Sequence, residues 1–129
     1  MTPPSDQESP FKGKTGLKRL LNAFGYSLDG LRAVYQHESA FRQLALLAAL
    51  LIPLAFVLVH QPLERALLVA SSLATLVIEL LNSAIEAAVD HTSLERHPLA
   101  KRAKDMGSAA QLLGLINLAT VWALLLWGR

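Results

Sequence analysis

Cysteine is absent from this 129-residue chain, which excludes disulfides and thiolate metal sites and leaves the redox compartment unmarked. Charge is scarce as well: 17% of the residues are Asp, Glu, Lys or Arg, and a net charge of +2 is too small to argue for a nucleic-acid partner. Aromatic residues make up 6% and do not interleave with basic ones as in RNA-binding surfaces. The phosphate-binding signatures of soluble nucleotide enzymes are missing: there is no GxxxxGK(S/T), no GxGxxG and no kinase catalytic-loop motif. The opening residues carry Pro3, Pro4, Asp6, Glu8 and Pro10 and lack the apolar core of a signal peptide. Residues 1–14 are expected to form a disordered tail.

What remains is apolar. Hydrophobic residues make up 53% of the chain, more than a small soluble domain usually carries. Leu17, Leu20, Leu21, Phe24, Leu28, Leu31 and Tyr35 fall on one side of a helix, with Lys18, Asn22, Asp29 and Arg32 largely on the other, the pattern of an amphipathic helix at a membrane surface. From Phe41 to Val59 the chain is apolar apart from Arg42 and Gln43 at its entrance, about the roughly 20 residues that cross a hydrocarbon core. Pro53 removes one helix hydrogen bond within it, so a kink is expected. The short His60-Gln61-Pro62 connection returns the next span antiparallel. The expected architecture is an all-α membrane protein: a surface helix followed by spans at about residues 41–60, 63–90 and 105–127, within one domain over 15–129. The polar stretch from His91 to Lys104 is read as a loop broken at Pro98, with Asp105 capping the last span. On that span Gly107, Ala110, Gly114 and Asn117 share a small-residue face suited to close helix approach, and Trp127 is placed for an aromatic belt.

Charge returns where it is least expected. Glu79, Glu86 and Asp90, with Asn82 among them, end the second apolar run. With Ser72, Thr75 and Ser83 they recur at three- and four-residue steps, forming one polar stripe on a helix. For Ser72, Thr75 and Ser83, helix–helix packing is the favoured reading. An ionisable group in a spanning helix is costly and points to function, so Glu79 and Glu86 are read as functional. Lys12, Lys14, Lys18, Arg19 and Arg32 precede the first span, and Arg96, Lys101, Arg102 and Lys104 follow the second. The positive-inside rule then places the N-terminus and the second loop in the cytoplasm. With ~1.5 Å of rise per residue, Glu79 lies about 10 Å along the axis from Glu86 and roughly 16 Å from Asp90, just inside the hydrocarbon boundary.

Glu38 before the first span, Glu79 and Glu86 on the second, and Lys104 with Asp105 before the third thus converge on one interface. Carboxylates and cations at such a place suggest metal and phosphate. Mg²⁺ takes one or two carboxylates together with phosphate oxygens, and Glu38 and Glu86 suit that role. A carboxylate at lipid depth, Glu79, suits a general base that takes a proton from a lipid hydroxyl. His91 and His97 have no metal-ligand company, so zinc is not expected. Three thin spans cannot surround Glu79, Asn82 and Glu86 within one subunit while shielding them from lipid, so a second copy is expected to complete the site.

The blocks GYSLDGLR (Gly25 to Arg32), HESAFRQ (His37 to Gln43), ELLNSAIEAAVD (Glu79 to Asp90) and RAKDMGSAA (Arg102 to Ala110) stand in this order. On them the chain resembles the small bacterial integral-membrane diacylglycerol kinases over about residues 15–127. The resemblance implies a homotrimeric bundle in the bacterial inner membrane that uses Mg²⁺ and ATP to convert diacylglycerol to phosphatidate. It implies Glu79 as catalytic base with Asn82 beside it, and Glu38 and Glu86 as holders of the metal on ATP. Arg19, Tyr26, Glu95, His97, Lys104 and Asp105 would meet nucleotide or phosphate. Arg19, Arg32, Ala40, Phe41, Arg42, Gln43, Glu79 and Ser108 would face the lipid substrate. Leu44 stands where well-known relatives carry an acid, and Leu28 and Asp29 replace an aromatic and a basic residue. Two alternatives accompany this reading: an undecaprenol kinase of the same family, and a small proton-coupled oligomeric transporter built on one membrane glutamate per subunit.

Overall fold

The computed structural model describes residues 16–92 and 97–128, and the tail expected at 1–14 lies outside them. Every described element is helical: α1 (Gly16–His37), α2 (Ser39–Leu58), α3 (Pro62–Thr92) and α4 (Pro98–Trp127). Two units are distinguished, one ending at Ala33 and the other beginning at Val34. The first contains most of α1, which runs unbroken through Gly25 and Gly30. The second contains the last turn of α1 and the three helices long and apolar enough to cross a membrane, α2, α3 and α4.

A single extended residue, Glu38, separates α1 from α2, and Arg42 secures the junction by donating from Nη1 to the carbonyls of Tyr35 (2.6 Å) and Gln36 (3.2 Å). Helix α2 carries Pro53 without interruption and ends at Leu58. The turn through Val59, His60 and Gln61 is held by Arg65, whose Nε donates to Val59 O (2.7 Å) and Nη2 to Phe56 O (2.9 Å). The same guanidinium lies 5.1 Å from the centroid of the Phe56 ring. One side chain therefore satisfies carbonyls that the end of α2 would otherwise leave unpaired.

The apolar core sits near this turn, where Ala55 and Val59 meet Leu68 of α3 and Leu118 and Trp122 of α4. Trp122 is 9% exposed and belongs to that core, whereas Trp127, 88% exposed, is the one left facing outward. At the other end the helices run further than expected. Helix α3 continues through Thr92, and α4 begins at Pro98 with His97 as its cap. Pro98 starts the helix instead of breaking it, because its missing N–H is one that the first turn leaves unbonded and its fixed φ already suits a helix. Asp105 is consequently not a cap. It stands inside α4 and pairs with Lys101 one turn earlier, Nζ to Oδ2 at 2.6 Å.

Candidate active site

The polar stripe of α3 divides in two along its length. In the half nearer the apolar core, Ser71 and Ser72 both donate to Leu68 O, and Thr75 donates to Ser72 O. These buried hydroxyls are satisfied by their own helix, as groups used for packing in an apolar medium must be. From Glu79 onward the partners come from α4.

Glu79 is 6% exposed and accepts a 2.9 Å hydrogen bond on Oε2 from Nε2 of Gln111. The same nitrogen donates to Thr75 O at 3.0 Å. Two acceptors facing one amide nitrogen leave no choice in how the Gln111 amide is turned. The α4 surface that reaches α3 consists of Gly107, Gln111, Gly114, Leu118 and Trp122, all buried. Ala110 and Asn117, expected on this face, are exposed. The error is one residue of helical phase: both readings share Gly107 and Gly114, and the i+4 step from Gly107 leads to Gln111 where the i+3 step leads to Ala110. A lone amide bracketed by two glycines on one face was the available signal.

The glycines bring the backbones together. A Cβ at Gly107 would collide with Oδ1 of Asn82, and one at Gly114 would stand 2.6 Å from Cδ1 of Ile78 and 2.9 Å from Oε1 of Gln111. Asn82 Oδ1, Ser83 Oγ and Gln111 Oε1 are buried and find no hydrogen-bond partner within the chain. Such atoms are costly in an apolar setting, and these gather around Glu79, the one buried carboxylate among the described residues. Glu79 is therefore covered by its own α4, so shielding this group does not call for a second copy. Asn82 and Glu86 are only half-buried.

Toward the α3–α4 connection, Lys104 Nζ pairs with Asp90 Oδ1 at 2.6 Å, and the charge of Glu86 acts on the same ammonium. Glu38 caps α2 through its backbone, and its carboxylate makes no capping hydrogen bond. Among the described residues no three His, Asp or Glu side chains converge as a metal cage. Glu38 and Glu86 are each half-buried, and carboxylates are the donor type that Mg²⁺ takes together with phosphate oxygens and water.

The remaining expected residues are scattered in role. Arg19, Tyr26 and Arg32 stand on α1, in the unit that ends at Ala33, with Arg32 3.6 Å from Asp29. Ala40 and Gln43 are exposed on the first turns of α2, Phe41 is buried, and Arg42 serves the α1 carbonyls. His97 accepts the Leu99 N–H on Nδ1 (3.1 Å), Ser108 is exposed, and Glu95 lies outside the described residues.

A buried carboxylate held by an amide, with a lysine and further carboxylates along the same helix pair, can deprotonate a hydroxyl beside a bound phosphate. The family model for prokaryotic diacylglycerol kinase matches residues 25–126. A Pseudomonas aeruginosa protein named diacylglycerol kinase is 61% identical over 120 residues, covering 93% of this chain and 98% of its own length. A Helicobacter pylori protein of the same name is 53% identical over 97% of this chain and 93% of its own length. The Escherichia coli K12 protein of that name is 45% identical over 89% and 94%.

Proposed function

The chain belongs to the prokaryotic diacylglycerol kinase family and is a membrane lipid kinase whose acceptor is diacylglycerol, and on that premise we propose that Glu79 is its general base. The observation that carries this reading is the burial of Glu79 against Gln111, on the same helix as Glu86 and as Asp90, which pairs with Lys104. In the proposed reaction Glu79 takes the proton of the lipid hydroxyl as that oxygen attacks the γ-phosphorus of ATP. The bond from phosphorus to the bridging oxygen breaks, ADP departs and phosphatidate is formed. Asn82 orients the hydroxyl. Lys104 bears the negative charge of the phosphates, joined by Arg19, Tyr26, Glu95, His97 and Asp105 in contacting nucleotide.

Glu38 and Glu86 hold Mg²⁺, which when bound supplies charge neutralisation on the phosphate oxygens. Arg32, the segment from Ala40 to Gln43, and Ser108 face the lipid. The placement of Lys and Arg supports a cytoplasmic N-terminus in the inner membrane, and the apolar stripe from Leu17 to Tyr35 supports α1 lying on the membrane surface. Half-buried Asn82 and Glu86 on a spanning helix, together with the family resemblance, support a homotrimer whose neighbours cover them. Family membership displaces the transporter alternative.

The test is transfer of label from γ-labelled ATP in mixed micelles offered diacylglycerol or undecaprenol separately. Label is expected in phosphatidate. Labelled undecaprenyl phosphate in preference would move the chain to the other acceptor.

A further inference from the structure

Gln111 of α4 meets the proposed base with its amide nitrogen, and its surroundings are arranged around that contact. Its amide nitrogen is pinned between Glu79 Oε2 at 2.9 Å and Thr75 O at 3.0 Å, so neither the amide nor the carboxylate rotates without losing a bond. Gly107 and Gly114 lie one helical turn to either side, and a Cβ at Gly114 would press on Gln111 Oε1 itself. Gln111 is 9% exposed, and its Oε1 has no partner in the chain. A buried amide with an unanswered oxygen is poor glue for two helices, which counts against packing as its purpose.

Resting on the reading of Glu79 as base, we infer that Gln111 is a positioning residue for this reaction. It fixes the carboxylate plane through Oε2, so that the other oxygen, Oε1, is the one turned to the acceptor hydroxyl. Gln111 itself touches neither the transferred phosphoryl group nor the hydroxyl proton. The role costs little reorganisation during turnover, because the donor is already in place before substrate arrives.

The decisive measurement is a double-mutant cycle between Gln111→Met and Glu79→Gln in the full-length protein in mixed micelles, reading kcat and the KM for ATP. Met keeps the volume and removes the donor. In the wild-type background Gln111→Met is expected to lower kcat about 10-fold or more, the size of one lost hydrogen bond to a charged group, with the KM for ATP within about twofold. In the Glu79→Gln background the same change is expected to have no further effect on residual turnover, because the carboxylate it would orient is gone. Equal losses in both backgrounds would make Gln111 a structural residue and overturn the inference. So would near-normal kcat in Gln111→Met when Glu79→Gln alone abolishes turnover, which leaves the base assignment standing. Near-normal turnover in Glu79→Gln removes the base assignment, and the positioning role with it. Should Gln111→Met fail to fold, Gln111→Asn, which keeps the amide and withdraws it by one methylene, is read against the same outcomes.

Discussion

Lys104 on α4 meets Asp90 on α3 with Nζ 2.6 Å from Oδ1, and Glu86 adds its charge to the same ammonium. Both partners are nearly half exposed, with side-chain exposures of 43% and 45%, and pairs of this kind contribute little to stability. Its importance is placement: a flexible cation is kept beside the carboxylates where phosphate is proposed to bind. Asp90→Asn is expected to leave stability nearly unchanged. Lys104→Met is expected to raise the KM for ATP about 10-fold or more, as for loss of a charge-assisted contact. Thermal unfolding and ATP saturation curves on both variants separate the roles, and an equal KM increase from the two would mean that Asp90 acts on nucleotide as well.

Glu79→Gln preserves shape, and its amide oxygen can accept from Gln111 Nε2 without that side chain leaving Thr75 O. The loss of a proton acceptor is expected to reduce turnover by about 10²-fold or more, while nucleotide binding survives. Turnover close to wild type, or loss of ATP binding as complete as in Glu86→Gln, would send the search for a base to Asp105.

Glu38→Gln and Glu86→Gln are each expected to shift the Mg²⁺ activation curve to higher concentration, because an amide oxygen carries no charge for a hard cation. Circular dichroism should show both variants fully helical. An unchanged Mg²⁺ requirement in both would remove them from the metal site.

Gly107→Ala sets two effects against each other. Helix propensity improves by about 1 kcal/mol, while a methyl group forced onto Asn82 Oδ1 costs about 1–3 kcal/mol if nothing moves. Asn82 is a side chain and can move, so stability is expected to change little while kcat falls as Asn82 leaves its place. Preserved turnover would show that Asn82 does not need its observed position.

Arg65→Met tests the distant turn. It removes both carbonyl contacts and the packing on Phe56, for an expected loss of about 1–3 kcal/mol, with kcat unaltered in the protein that remains folded. A specific loss of kcat would tie this turn to the site at the other end of the helices.

The helices were legible because hydrophobic length and period are properties of neighbours in the chain. Phe41 to Val59 announces a span without reference to anything else, and Glu79 stands out because charge in such a run is expensive. The facing of one helix by another was less legible. Gly107 and Gly114 were recognised as a contact face, yet choosing between Ala110 and Gln111 depends on a rotation that packing decides. Pro98 illustrates a second difficulty. The same ring that interrupts a helix starts one, and only the ends of α3 and α4 settle which applies. The cover over Glu79 was missed for a related reason, since counting spans says nothing about whether one glutamine reaches across.

That cover has a consequence for biogenesis. Glu79 is shielded by a residue that the ribosome makes later, so α3 enters the bilayer with its carboxylate uncovered and remains so until α4 follows. The α2–α3 hairpin, closed by Arg65, carries that burden meanwhile, and the cost is below the about 2.5–3.5 kcal/mol of a charge at the helix centre, because Glu79 lies near the boundary. Substitutions in α4 at Gly107, Gln111 or Gly114 therefore come too late to alter the entry of α3 and act only once the two helices have met.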